Sequence, residues 1–213
     1  MIGYRDSCAP VEVSFPAATL GDARVARWLR EHRLAVDVRT LAELHSAISV
    51  GIHPLLMTVH ADQLDTGDIR RVSAAGVGRV VLSHPEQITP LRNKHTQNVL
   101  LRMTNAVTNY SDVAVDAVIG CRSTTLIGLL CELDGAADEV GCPAAIGNMI
   151  AQMDHIRRRH NIVLTRLILG VGDAAPAAAG SVARRDLAEE IDESVDDACA
   201  TLRFPRPTIV MAA

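Results

Sequence analysis

Short runs of Val, Ile, Leu and Met recur along the chain, at Val11 to Phe15, Leu34 to Val38, Leu55 to His60, Val77 to Leu82, Val99 to Met103, Leu126 to Leu133, Leu164 to Leu169 and Thr208 to Met211. Each is short and β-branched in character, and together they predict eight strands. Between them apolar positions recur at helical spacing, and the first four strand-to-strand intervals are about 20 to 25 residues, the length of successive strand and helix units. Regular alternation of this kind implies a parallel sheet.

The helices carry recognisable ends. Thr40 followed by Glu43 has the spacing of a capping box, and Gly51 stands where the helix it opens should stop. Asp22 can cap Ala23 to His32, where Val25, Trp28, Leu29 and His32 share a face; Asp65 or Thr66 can start a helix that Gly76 ends. Pro143 opens a segment with Ile146, Met149, Ile150, Met153 and Ile156 at helical spacing, closed by the basic run Arg157, Arg158, Arg159, which suits a helix C-terminus. Near the end, Leu187, Ile191, Val195 and Leu202 form a stripe, and acidic residues from Asp186 to Asp197 fill a solvated face. From Asn105 to Thr125 the pattern is ambiguous: Val113 to Ile119 reads as strand-like, with no clear helix after it.

Eight strands alternating with helices in 213 residues predict a (β/α)8 barrel of the TIM type, one domain over 1–213, with an open doubly wound sheet as the alternative. A barrel places ligand chemistry at the C-terminal ends of its strands. Composition agrees: 48% of residues are hydrophobic but only 2% aromatic, so aliphatic side chains must fill the core, as in a buried parallel sheet. The net charge of −4 offers no basic stripe for nucleic acid, and no apolar run reaches the roughly 18 to 20 residues of a membrane span. Five cysteines without C-x-x-C spacing, and no signal peptide, read as reduced and mostly buried thiols in the cytoplasm.

Four stretches, in order, resemble one family. Ala26-Arg27-Trp28-Leu29, then Val36-Asp37-Val38-Arg39-Thr40 with Glu43-Leu44 and Gly51-Ile52, are similar to the second strand and helix of diaminopimelate and ornithine decarboxylases. Gly76 to Val81 continues the likeness, and Leu100-Leu101-Arg102-Met103-Thr104-Asn105 resembles that family's fifth strand. Leu169-Gly170-Val171-Gly172 stands where the family carries a triple-glycine phosphate loop. The resemblance, to the pyridoxal-phosphate (PLP) barrel of the group IV, fold type III amino-acid decarboxylases, implies a PLP-binding barrel followed by a β-rich domain that helps complete the site across a dimer. The sequence ends at Ala213, so the reading here is the barrel without that C-terminal domain.

Set against the family, the chemistry is depleted. The resemblance implies a Schiff-base lysine at the end of the first strand, and the matching stretch is Phe15-Pro16-Ala17-Ala18-Thr19, with Ala18 at the lysine's place. An imine with the cofactor aldehyde requires an amine, and the one lysine of the chain, Lys94, precedes the fifth strand instead. The family's ring-stacking histidine falls near Cys131-Glu132-Leu133-Asp134, where there is none. Val171 breaks the glycine run and Asp173 adds negative charge, which leaves Gly170 and Gly172 as candidate anion contacts. The family's acidic-proline-glycine-arginine sequence after the last strand meets Met211-Ala212-Ala213.

Other candidates follow from strand ends. Asp37 lies within the second strand, His60 and Asp62 after the third, and Arg102 in the fifth; the four can line one polar mouth as acid, base or anion-holding groups. The family's corresponding arginine points at its cofactor. Taken alone, His60 reads as a partly exposed strand-end residue. His84, His95, His155 and His160 lack metal-motif spacing, and Ser14, Ser83 and Thr104 sit where a nucleophile could stand but have no His and carboxylate at a known spacing. The expectation is therefore a degenerate, non-catalytic PLP barrel serving as a binding or interaction scaffold, with PLP at most a weak non-covalent ligand. The alternative is a PLP-independent or residually PLP-binding lyase-like enzyme at the same mouth. Expected partners are a second copy or another protein and a small anion, not nucleic acid or membrane.

Overall fold

In the computed structural model, which describes residues 8, 11–91, 95–103, 110–133, 142–170 and 181–212, eight parallel strands hydrogen-bond in chain order as a closed barrel. They are β1 (Glu12–Pro16), β2 (Ala35–Val38), β3 (Met57–His60), β4 (Arg79–Leu82), β5 (Gln97–Met103), β6 (Thr124–Glu132), β7 (Arg166–Gly170) and β8 (Thr208–Ala212). Among the described residues six helices alternate with them: α1 (Ala23–Glu31), α2 (Leu41–Ser49), α3 (Thr66–Ala74), α4 (Tyr110–Ile119), α5 (Cys142–His160) and α6 (Ser181–Leu202). Short 3-10 segments follow β1 (Ala17–Gly21), precede β3 (Pro54–Leu56) and follow β4 (Pro85–Leu91). No described helix is long and apolar enough to cross a membrane. By internal packing the chain divides into two compact units, Ser14–Arg102 with Asn109–Leu126, and Met1–Val13 with Met103–Thr108 and Ile127–Ala213.

In the first of these units the strand register sorts side chains onto two faces. Asp37 pairs with Thr58, His60 with Val81 and Val81 with Leu100, so alternation puts Asp37, Thr58, His60, Arg79, Val81, Leu100 and Arg102 on one face. The other face carries Val36, Val38, Met57, Val59, Val80, Leu82, Val99 and Leu101, all buried. That face is the helix-covered layer of a parallel sheet, which explains the near-continuous aliphatic runs. The helix ends form as their residues dictate. Thr40 Oγ1 accepts from Glu43 N at 3.2 Å while Glu43 Oε2 accepts from Thr40 N at 3.3 Å and from Arg39 N at 2.6 Å. Asp22 accepts from Arg24 N at 2.7 Å and Asp65 from Asp68 N at 2.8 Å. Gly51 and Gly76 stop α2 and α3 at φ of 84° and 69°, a conformation that disfavours a side chain.

The strand-like reading of Val113 to Ile119 is corrected: these residues lie in α4. Ala114, Val115 and Val118 are buried while Val113 and Asp116 are exposed, a helical spacing of the core positions that overrides the β-branched composition. The rest of that ambiguous stretch up to residue 109 lies outside the described residues.

In the second unit α5 packs on α6; Ile146, Met149, Ile150, Met153 and Ile156 of α5 and Ala188, Ile191, Val195 and Cys199 of α6 are buried. The basic run does more than end α5. Asp154, 3% exposed, pairs with Arg157 and with Arg158 (2.6 Å), and Arg157 also donates to Arg203 O at 2.9 Å and stacks over Phe204. Arg206 binds Asp192 and Asp196 on the acidic face of α6. Cys8, Cys121, Cys131 and Cys199 are buried and Cys142 is half-buried.

Candidate functional site

Strands β2, β3 and β5 and two strand-end segments of the first unit deliver the site. Asp37 is the penultimate residue of β2, His60 the last of β3 and Arg102 the penultimate of β5. All three sit on the same sheet face at its C-terminal edge, which is why residues 23 and 42 positions apart in the chain can touch. Asp62 follows β3 by two residues and Ser83 follows β4 directly.

Arg102 Nη2 donates to His60 Nδ1 at 3.1 Å and to Asp62 Oδ2 at 2.6 Å, and Ser83 Oγ donates to Asp62 Oδ1. On its other side, His60 Nε2 faces Asp37 Oδ1 at 3.4 Å. A guanidinium can only donate, so His60 Nδ1 must accept. In the tautomer that accepts there, Nε2 carries the proton and faces Asp37. His60 is not the partly exposed residue that a strand-end position suggested: it is 3% exposed and belongs to the strand itself. A histidine placed there is buried because its neighbours across the register, Val81 on β4 and Leu100 beyond it, supply an apolar floor. Burial is tolerated because both ring nitrogens have partners.

Around this cluster the backbone is fastened by Gln87, whose Oε1 accepts from Ser83 N (2.8 Å) and His84 N (3.1 Å) while its Nε2 donates to Ala61 O at 2.7 Å. One side chain thus ties the segment after β4 to the segment after β3. One layer below His60 on the same face, Thr58 accepts from Arg79 Nε at 2.9 Å. The buried Ser14 Oγ and Asp37 Oδ2 have no hydrogen-bond partner among the described residues. The structure brings together the four residues expected to share a mouth, Asp37, His60, Asp62 and Arg102. It adds Ser83, whose hydroxyl meets Asp62 rather than a histidine. Thr104 and Gly172 lie outside the described residues. Among the described residues, no group of three or more His, Cys, Asp or Glu could hold a metal ion.

Gly170, described within the second unit, ends β7 beside Glu132 on β6. A side chain at Gly170 would collide with the Glu132 carboxylate, and Gly170 O accepts from Leu133 N at 2.6 Å. The carboxylate lies against the glycine that an anion would approach. Sequence reasoning noted that Glu132 was not the family's histidine but had no signal for this contact, because it depends on a register between strands. Gln87 was equally invisible, since an isolated glutamine in a turn carries no pattern. Ala18 is exposed in the 3-10 turn just past the C-terminal end of β1.

Comparison with known proteins gives a consistent picture. Residues 1–117 match the family model described as pyridoxal-dependent decarboxylase, pyridoxal binding domain. The diaminopimelate decarboxylase of Actinosynnema pretiosum subsp. auranticum is 27% identical over 244 aligned residues, covering 97% of this chain and 52% of the relative. That of Mycobacterium tuberculosis H37Rv is 30% identical over 100 residues, 45% of this chain and 22% of the relative. Among solved structures, diaminopimelate decarboxylase from M. jannaschi superposes with a TM-score of 0.80 at 12% identity, covering 99% of this chain and 57% of that one. Ornithine decarboxylase from Entamoeba histolytica gives 0.76 at 12% identity, with 99% and 59% covered. At such identity the structures speak for the fold. The chain spans at most about half the length of these curated relatives.

Proposed function

The chain belongs to the pyridoxal-dependent decarboxylases through their pyridoxal binding domain, and from that membership we propose that it is a decarboxylase-like barrel without Schiff-base catalysis, acting as a binding or interaction scaffold. One observation carries the reading: Ala18, and no amine, stands in the turn after β1 where the family resemblance places the lysine. An alanine methyl can neither form nor exchange an imine. The residues present do not fit a covalently held cofactor.

Two further features support the reading. The side chains at the strand ends of β2, β3 and β5 are engaged with one another, His60 through both nitrogens and Arg102 through His60 and Asp62. A phosphate at Gly170 would have to displace the Glu132 carboxylate, so Arg102, Gly170 and Gly172 hold at most a small anion weakly. The scaffold's partner is a second copy or another protein, and its compartment the cytoplasm.

A second reading has one observation in its favour: the buried contact of His60 with Asp37 beside Arg102 is a convergence of acid, base and cation such as a PLP-independent lyase-like enzyme would use. Titration of the purified chain with PLP, followed by visible absorbance, tests the first reading. The expected spectrum is that of free cofactor throughout. Growth of a protonated aldimine band in proportion to protein would overturn it. The second reading is tested separately, by decarboxylation of amino acids assayed without PLP: carbon dioxide release that Asp37→Asn abolishes is its required result.

A further inference from the structure

We propose that Arg102 and Ser83 form a seat for a carboxylate, filled by the chain's own Asp62, and that the small anion this mouth takes is a monocarboxylate. The inference rests on the proposed reading of Arg102 as an anion contact and names the anion. Arg102 Nη2 donates to Asp62 Oδ2 at 2.6 Å, and Ser83 Oγ donates to Asp62 Oδ1. Each oxygen of one planar carboxylate thus has its own donor, one from β5 and one from the segment after β4. A free carboxylate would be gripped in the same way.

Both donors are held by contacts that do not involve Asp62. Arg102 Nη2 also reaches His60 Nδ1 at 3.1 Å, and His60, 3% exposed, is backed by Asp37. The backbone of Ser83 is fixed by Gln87, whose Oε1 accepts from Ser83 N at 2.8 Å while its Nε2 donates to Ala61 O at 2.7 Å. The two donors therefore stay in place when the occupant leaves, which is the preorganisation that favours binding. Asp62 leaves at little cost. Its side chain is 32% exposed on the segment after β3, so a carboxylate that swings out regains water, and an ion pair so exposed is a weak tether.

Charge selects the ligand. Among the described residues of this network Arg102 is the cation, and Asp37 and Asp62 are the anions. A singly charged carboxylate exchanges with Asp62 one for one, whereas a doubly charged phosphate sets additional negative charge beside both carboxylates.

Titration of the full chain with formate, a bare carboxylate, followed by NMR of the Arg102 guanidinium nitrogens, tests the seat. No PLP is present, so a failure here leaves the Schiff-base reading untouched. Wild type should bind formate weakly and saturably, because the seat is open only while Asp62 is away. Asp62→Ala removes the competitor and should bind about tenfold tighter or more. Asp62→Asn keeps the shape but gives up the charge; it should gain in the same direction, and it supplies the reading if the alanine variant does not fold. Adding Ser83→Ala to Asp62→Asn should weaken formate about tenfold, the scale of one charge-assisted hydrogen bond. Inorganic phosphate, at mildly alkaline pH, should bind more weakly than formate. Equal formate affinity in wild type and the Asp62 variants, no effect of Ser83→Ala, or phosphate bound as tightly as formate would each overturn the seat.

Discussion

Cys142, the first residue of α5, illustrates how local surroundings set reactivity. Burial, and then the Glu190 carboxylate, push its thiol up to about 11 from the usual 9.0. The thiolate is the nucleophile, so alkylation by iodoacetamide at neutral pH should be slow at Cys142 and should accelerate only as pH approaches that value. The sign for stability follows from the same shift. Above 9.0 the unfolded thiol ionises first, so this contribution to stability is complete below 9.0 and declines as pH rises toward about 11. Thermal melts from neutral to alkaline pH, compared with Cys142→Ala, should show the wild type losing the larger share. Cys199 is raised in the same direction, chiefly by burial, with Arg206 pulling back and Asp196 adding to the rise. At this scale the sequence was informative about residue types and silent about partners. Asp37, His60, Asp62 and Arg102 could be grouped because strand ends converge in a barrel. The partners of His60, the role of Gln87 and the carboxylate against Gly170 depend on register and rotamer, which no spacing encodes.

At the scale of single elements, the capping box of α2 and the glycines at tight crossings carry definite energetic expectations. Thr40→Ala removes the acceptor for Glu43 N and should cost about 1 kcal/mol in urea unfolding, without changing the fold. Gly78 and Gly128 differ from Gly170 in what a Cβ would strike. At Gly78 it meets the backbone carbonyl of Leu55, and at Gly128 that of Arg166, neither of which can swing aside. Each Gly→Ala change there should destabilise by about 1–3 kcal/mol or more. At Gly170 the obstacle is the tip of Glu132, a flexible side chain, so Gly170→Ala should be milder by the same unfolding measurement. Element legibility followed periodicity. Every strand appears close to its expected place, because fully buried parallel strands are continuous aliphatic runs. Val113 to Ile119 misled because its valines favour strands, and only the buried set Ala114, Val115 and Val118 reveals helical phase.

At the scale of the whole molecule, family membership and the chemistry proposed for the chain point in different directions. The match to a pyridoxal binding domain places the chain among the pyridoxal-dependent decarboxylases, and the fold was legible because eight alternating units leave few topologies. On the proposed reading Ala18 stands past the end of β1 where the resemblance places the family's lysine, and Lys94, the one lysine of the sequence, comes before β5 in chain order and lies outside the described residues. The most direct test of the central claim is borohydride reduction in the presence of PLP, followed by intact and peptide mass spectrometry. The chain should keep its unmodified mass under conditions that fix the cofactor to a full-length decarboxylase run alongside. A stoichiometric adduct mapped to Lys94 would contradict the account.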